Sequence, residues 1–595
     1  MVNLTINNRS ITAPENDTIL EAAARNNILI PHLCYLEGVH RAGSCRICVV
    51  EVEGAKTLQA SCMVKVKEGM VVRTNTEKVR TARKLLYELM LSDHPKDCLN
   101  CVRSRNCEFR QLGELIETGE PRFEGGRSDK AVDGNSPSIV RDMSKCILCR
   151  RCVTVCNEIQ GVGVLNAQNR GFKTVISPAA GLPLNSVNCA YCGQCTTVCP
   201  VGALYEKDST DSVWKALFDK DKRVVIQTAP AVRAALGEEF GYEPGTLVTG
   251  KLAAALKEMG FDDIFDTNFA ADLTIIEEGH ELLARLTEAL TGKGSVLPMI
   301  TSCSPGWIKY VEHTWPEELG HISSCKSPHM MLGALVKSYY AGRLGIAPEN
   351  IFVVSVMPCT AKKYEITRPE MTNGGLPNVD AVLTTRELAN MVKESGIDFK
   401  SLPDAQFDNP LGLSTGAADI FGTTGGVMEA ALRTVYELVT GRELPFDKLH
   451  VTPIMGLERI KTADIVIESP LPAYRFLDGI TLKIAVTSGL NGAAALMREV
   501  AGGTSPYHFI EVMGCPGGCI SGGGQPRPTD RYIRQKRLEA LYREDEGKPL
   551  RKSHENPFVS RLYEEYLIEP LGHKSHELLH THYKRRGIYN EYENR

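Results

Sequence analysis

Apolar and polar residues alternate along VNLTINNRSITA at the start of the chain, and again along VVEVEG and MVVRT, so residues 1–78 read as short strands. Between them DTILEAAARNN has helical spacing, with Asp17 or Thr18 placed to cap the helix. A small α+β unit is predicted. The next stretch, EKVRTARKLLYELMLSDH, carries apolar residues at helical spacing and runs into Cys98, which opens a second small unit over 79–118. Gly113 to Ser138 has no period and is rich in Gly, Glu, Arg and Asp, as expected of a surface connector. Residues 137–209 hold two similar blocks, RDMSKCILCRRCVTVC and NSVNCAYCGQCTTVCP, about forty residues apart.

From residue 210 to 525 the pattern is that of an ordinary α/β protein. Apolar runs suited to buried strands (RVVIQTAP, SVLPMIT, IFVVSVMP, DAVLTT, KIAVTSG, YHFIEVMG) alternate with amphipathic stretches such as GKLAAALKEMG and GGVMEAALRTVYELV. One large mixed domain, or two intimately packed halves, is predicted. The tail, 526–595, is charged, and the apolar residues of FVSRLYEEYLIEPLGHKSHELL predict helices that wrap on the main body.

A chain of 595 residues is long enough for several such domains, each with its own core. Its 68 basic and 72 acidic residues leave a net charge of −4, which offers no broad positive face and argues against nucleic acid as a partner. No apolar run reaches the length of a membrane span, and MVNLTINNRSITAPEN lacks the features of an export leader. No membrane anchor and a cytoplasmic location are expected. Fifteen of the twenty cysteines lie between Cys34 and Cys199 at ligand-like intervals, and their close spacing suits metal-bound thiolates better than disulfides.

Iron-sulfur clusters take four ligands each, and the cysteines partition into fours. Cys34, Cys45, Cys48 and Cys62 approach the plant-type 2Fe-2S spacing, with Gly43 and Ser44 letting the loop bend. His94, Cys98, Cys101 and Cys107 offer three thiolates and one imidazole for a 4Fe-4S cluster. Zinc is the alternative occupant of both groups. The repeated blocks follow the bacterial two-cluster pattern, in which the fourth cysteine of each run serves the other cluster. One 4Fe-4S cluster would take Cys146, Cys149, Cys152 and Cys199, and the other Cys156, Cys189, Cys192 and Cys195.

Five cysteines remain: Cys303, Cys325, Cys359, Cys515 and Cys519. Four of them lie in TSCSPGW, MPCTAKKYE and EVMGCPGGCISGGGQP, each at the end of a predicted strand, where sites form in α/β sheets. With the cluster domains before them, these three motifs resemble the catalytic subunit of FeFe-hydrogenases over nearly the whole chain. The layout is most similar to subunits of multimeric NAD(P)-linked or electron-bifurcating hydrogenases. The N-terminal 200 residues also resemble the cluster-bearing end of a complex I subunit, and EEYLIEPLGHKSHELLHTHY resembles the hydrogenase small subunit.

The resemblance implies an H-cluster, a 4Fe-4S cubane bridged to a di-iron unit with CO, cyanide and a dithiolate, reached through one 2Fe-2S and three accessory 4Fe-4S clusters. Cys359, Cys515 and Cys519 would ligate the cubane, with Cys519 as the bridge. Lys362 would donate a hydrogen bond to a cyanide, and Met357 and Met513 would pack on the di-iron unit. The glycines at 517, 518 and 522–524 would let backbone approach the cofactor. The usual first motif has two adjacent cysteines, a proton relay followed by a cubane ligand, but here Cys303 precedes Ser304. Either Cys303 is the relay with Ser304 at the ligand position, or the two roles are exchanged. Cys325 reads as a buried core thiol.

Glu278 and Glu281 stand at i and i+3 on one predicted helix, with Arg285 a turn further on. By themselves they are an acidic helix face; by resemblance Glu278, Ser323, Glu281 and Arg285 form a proton relay ending at Cys303. The activity implied is reversible conversion of two protons and two electrons to hydrogen. The absence of a G-x-G-x-x-G context puts NAD(P) on flavin- and Fe-S-bearing partner subunits of a hetero-oligomer, with ferredoxin as a soluble partner. Two rival readings are a non-catalytic electron wire and a hydrogen sensor or cluster-assembly protein. The wire is disfavoured by MPCTAKKYE and MGCPGGC, and the sensor by the lack of a recognisable signalling module.

Overall fold

At the N-terminus the predicted alternation becomes a hairpin, Val2–Ile6 paired antiparallel with Arg9–Ala13. Val71–Arg73 runs parallel to the first strand, and Val49–Val52 and Gln59–Ala60 complete a five-stranded sheet. Thr18, not Asp17, caps the helix Ile19–Arg25, in a reciprocal box with Glu21. Leu4, Ile6, Ile19, Val50 and Val72 pack between sheet and helix. The helix Glu77–Ser92 follows, capped by Thr76, and Glu108–Ile116 after it. The computed structural model describes residues 1–117, 122–123, 128, 130–292 and 294–587. Parts of the predicted connector and the last residues of the predicted tail lie outside the described residues.

The chain divides into two compact units. One comprises residues 1–158, 163–184 and 198–205, and the other residues 159–162, 185–197 and 206–595. This division departs from the predicted boundary at 209, because the segment with Cys189, Cys192 and Cys195 belongs to the second unit.

The second unit is built on two four-stranded sheets, so the prediction of two halves within one α/β body describes it well. In the first sheet, Asp263–Asp266, Arg223–Thr228, Ile351–Met357 and Ala381–Thr384 are all parallel. The second has Met299–Ile300, Phe509–Met513 and Thr481–Ser488 in parallel, with Ile460–Val466 antiparallel at its edge. The 24-residue helix Thr267–Leu290 is buried along most of its length and carries the two candidate relay glutamates. The tail helices Arg531–Gly547, Pro557–Leu562 and His573–Leu579 pack on this body as predicted. Leu541 joins Ala231 and Ile420, and Leu562, Leu578 and Leu579 join Met330 and Leu332. A buried ion-pair network, Asp545 with Arg433 and Arg551, ties the tail down further.

Candidate functional site

In the first unit the loops bring predicted ligands close to one another. Cys48 and Cys62 sulfurs lie 3.4 Å apart, and Cys34 is engaged by the thiols of Cys45 and Cys62, which hold it far below its ordinary range. Gly43 has φ 58°, and a Cβ there would meet Met63, so the tight bend expected before Cys45 is present.

His94, Cys98, Cys101 and Cys107 line one cavity, together with Arg103, Lys145 and other residues. Burial, then Lys145 and Lys130, push His94 down to about 4, so the imidazole is neutral, as a ligand must be. Its Nδ1 is buried without a hydrogen-bond partner. An unpaired buried nitrogen costs about 1–3 kcal/mol, which a metal bond at that atom would offset. The donor set therefore fits a cluster.

Cys146, Cys149 and Cys199 act on one another electrostatically, and left-handed backbone at Leu148 and Arg150 curls the Cys146–Cys152 loop. His40 reaches from the 2Fe-2S-like fold to this loop, with Nε2 3.0 Å from the Cys149 carbonyl and Nδ1 2.6 Å from Thr154 Oγ1. Sequence reasoning missed this link, because nothing in the local pattern around His40 signals a contact more than a hundred residues away.

In the second unit the three motifs converge at the carboxyl ends of parallel strands. Cys303 follows Met299–Ile300, Cys359 follows Ile351–Met357, and Cys515 follows Phe509–Met513. The Cys515 thiol feels Cys359, Cys192 and Cys519, so the segment with Cys189, Cys192 and Cys195 lies beside the same site. Hydrogen bonds fasten that segment in place. Thr360 Oγ1 donates to the Tyr191 carbonyl at 2.8 Å, and Gln194 Nε2 to the Ser521 carbonyl at 2.9 Å.

The glycines of the last motif pack loop on loop. A Cβ at Gly518 would stand 2.8 Å from Thr423 backbone, at Gly522 2.2 Å from the Pro358 carbonyl, and at Gly523 2.7 Å from the Cys192 carbonyl. These three let loop pack on loop; only through that packing do they shape the space between the thiols.

Met357 and Met513 are buried, and Lys362 donates to Glu365 at 2.8 Å and to the Cys303 carbonyl at 3.1 Å. Although burial opposes it, Lys362 and His329 hold Glu365 down at about 2. His329 Nε2 and Lys362 Nζ thus share one carboxylate, which fixes the lysine; Glu365 and His329 were not singled out in the sequence.

Cys303 and Ser304 face different groups. Burial, then Glu278 and Cys519, push the Cys303 thiol well up. Ser304 Oγ instead accepts from the Gly514 N–H at 3.2 Å, next to Cys515. On the helix Thr267–Leu290, Glu278 is only 2% exposed, and burial followed by the charge of Glu281 pushes it up to about 8. Ser323 lies beside it and favours its charged form, while the Ser323 hydroxyl donates to Glu281 Oε2 at 2.8 Å. Glu281 Oε1 accepts from Arg285 at 2.7 Å. Of the four residues singled out as a relay, Arg285, Glu281 and Ser323 stand in one hydrogen-bonded row, with Glu278 beside Ser323. Cys325 is buried as expected, but its thiol lies 3.9 Å from Glu281 Oε2 instead of in purely apolar surroundings.

Comparison with known proteins agrees with this arrangement. Residues 222–523 match the iron only hydrogenase large subunit, C-terminal domain, and 531–586 the iron hydrogenase small subunit. Residues 1–77 match a 2Fe-2S iron-sulfur cluster binding domain, 83–122 the NADH-ubiquinone oxidoreductase-G iron-sulfur binding region, and 136–205 the ferredoxin-like domain of NADH-quinone oxidoreductase subunit 3. The NADP-reducing hydrogenase subunit HndD of Solidesulfovibrio fructosivorans is 52% identical, over 98% of this chain and 99% of its own length. Iron hydrogenase 1 of Clostridium pasteurianum is 39% identical over 98% and 100%. A solved structure of the FeFe-hydrogenase HydA1 of Chlamydomonas reinhardtii is 47% identical with a TM-score of 0.57, covering 63% of this chain and 99% of that one.

Proposed function

Because the chain belongs to the FeFe-hydrogenase family and is a hydrogenase with an iron-sulfur electron-transfer chain, we infer that it is the catalytic subunit of a complex coupling hydrogen to NADP(H). The observation that carries the catalytic reading is the convergence of Cys303, Cys359, Cys515, Cys519 and Lys362 beside a row of buried carboxylates. An electron wire would have no use for that row. The 2Fe-2S and 4Fe-4S clusters are proposed to number one and three. NADP(H) would be handled by flavin- and Fe-S-bearing partner subunits, as the name of the Solidesulfovibrio relative suggests, with ferredoxin as a further soluble partner. Among the described residues no helix is long and apolar enough to cross a membrane. The isolated, matured chain is expected to reduce a viologen with hydrogen but to reduce NADP+ only when its partners are added; direct NADP+ reduction by the isolated chain would contradict the assignment.

When bound, the di-iron unit supplies the centre at which protons, electrons and hydrogen interconvert. Cys359, Cys515 and Cys519 would hold the cubane, Lys362 would direct its ammonium at a cyanide, and Met357 and Met513 would exclude water. Protons would pass along Arg285, Glu281, Ser323 and Glu278 to Cys303. Glu278, raised to about 8, holds a proton at neutral pH and can hand it on.

The Cys303 and Ser304 roles divide accordingly. Cys303 is the relay, because Glu278 is the first charge acting on its thiol, and Ser304 stands on the cubane side, because its Oγ is anchored beside Cys515. An alcohol is a poorer iron ligand than a thiol. Ser304→Cys is therefore expected to change the electron paramagnetic resonance signal of the cubane in protein lacking the di-iron unit, and Cys303→Ser to leave that signal in place. The reverse pattern would exchange the roles.

A further inference from the structure

Cys325 is the one cysteine given neither a cluster nor a place in the proton relay, and its surroundings are specific. Glu281, Cys325 and His580 are all buried, and one donor atom from each lies within 4.8 Å of the other two. Cys325 Sγ is 3.9 Å from Glu281 Oε2, and a backbone bridge pairs Cys325 with His580. His580 Nδ1 is turned toward this cluster, 2.8 Å from Ser324 Oγ, which is itself 3.4 Å from Glu281 Oε2. His580 Nε2 is 3.1 Å from Glu277 Oε2, and Glu277 is fixed in turn by the Tyr563 hydroxyl and the Leu571 N–H. A carboxylate on the far nitrogen orients an imidazole for metal binding and sets its tautomer, leaving Nδ1 as an acceptor whose present partner, the Ser324 hydroxyl, a metal would displace. The tail thus supplies the ligand, and Tyr563 and Leu571 of the tail hold the Glu277 carboxylate that aims it.

We propose that Glu281, Cys325 and His580 form a binding site for Zn2+, and that zinc there stops proton delivery to the hydrogen-converting centre. Zinc takes sulfur at about 2.3 Å and nitrogen or oxygen at about 2.0–2.2 Å, so donors in a tetrahedral site stand roughly 3.3–3.7 Å apart. The side chains need close only slightly from their present spacing. Zinc displaces the Cys325 proton to solvent, and thiolate and carboxylate together neutralise the dication. Three protein ligands leave the fourth position open. His576, exposed on the helix that ends just before His580, has its ring 4.3 Å from that of His580. The consequence rests on the relay reading above. Glu281 Oε2 is the oxygen that receives the Ser323 hydroxyl, and a cation bound there removes it from the proton row.

The test uses matured holoenzyme, kept anaerobic, freed of loose metal, exposed to ZnCl2 and desalted. Zinc per chain and hydrogen turnover are measured for the wild type, Cys325→Ala and His580→Gln, with turnover expressed within each protein as the ratio with and without zinc. The wild type is expected to retain one zinc more than either variant. Its turnover should fall at least about tenfold, a modest share of what acid-base groups contribute, and recover with a chelator. Equal zinc content in all three proteins, or none retained by the wild type, overturns the site. Zinc retained only by the wild type without slowed turnover keeps the site and overturns the relay role of Glu281.

Discussion

Glu281→Gln is expected to slow hydrogen turnover by about 10²- to 10⁴-fold, the range that positioned proton-transfer groups contribute. Glu281 is the junction of the row, receiving Arg285 on one oxygen and Ser323 on the other. An amide of the same shape keeps the packing but cannot take up and release a proton at the carboxyl oxygen. Arg285 also donates to the Gly320 and Ile322 carbonyls, so its side chain stays held when the charge beside it is lost. Iron content and the infrared bands of the active site should therefore match those of the wild type while turnover drops. Unaltered turnover in hydrogen evolution from reduced viologen would remove Glu281 from the proton path.

Cys519→Ala carries the other large effect. Cys519 sits where Gly518, at φ 98°, turns the chain against Thr423 and Thr424, and burial followed by Cys359 pushes its thiol up to about 12. A thiol so raised becomes a thiolate only against a strong positive charge such as iron. Alanine fits the space but offers no ligand. The variant is expected to lose turnover below detection and to lack CO and cyanide bands, while the accessory clusters keep their paramagnetic signals. Retained CO and cyanide bands at wild-type intensity would show that Cys519 is not the bridge.

The cluster ligands were legible because a cluster imposes short, local spacings that survive in one dimension, as in Cys146, Cys149 and Cys152. That Glu278 and Glu281 share a helix face was legible for a similar reason, since i and i+3 on a helix are neighbours; their reading as a relay came from the resemblance alone. What the sequence hid was convergence. His329 comes from the helix Pro328–Leu335 to meet Lys362 and Glu365, which share the short helix Ala361–Glu365, and His580 reaches Ser324 from the tail. The edge strand Ile460–Val466 escaped notice because its alternation runs against residue type. Lys461 faces inward, donating to the Gly456 and Thr424 carbonyls, while Ile460 and Val466 face out. The SVLPMIT run yielded only the strand Met299–Ile300, because Pro298 has no N–H to give a ladder. The glycines of the last motif have a use that the sequence did not show: Gly518, Gly522 and Gly523 admit the backbone of neighbouring loops.

The central claim is that the thiols gathered at the strand ends hold an H-cluster, and the infrared spectrum of anaerobically purified protein tests it most directly. The protein would be produced with and without hydrogenase maturation factors and brought to the same iron content. CO and cyanide stretching bands that appear only after maturation are the predicted result. Fully iron-loaded, matured protein without those bands would contradict it and return the chain to the role of an electron wire.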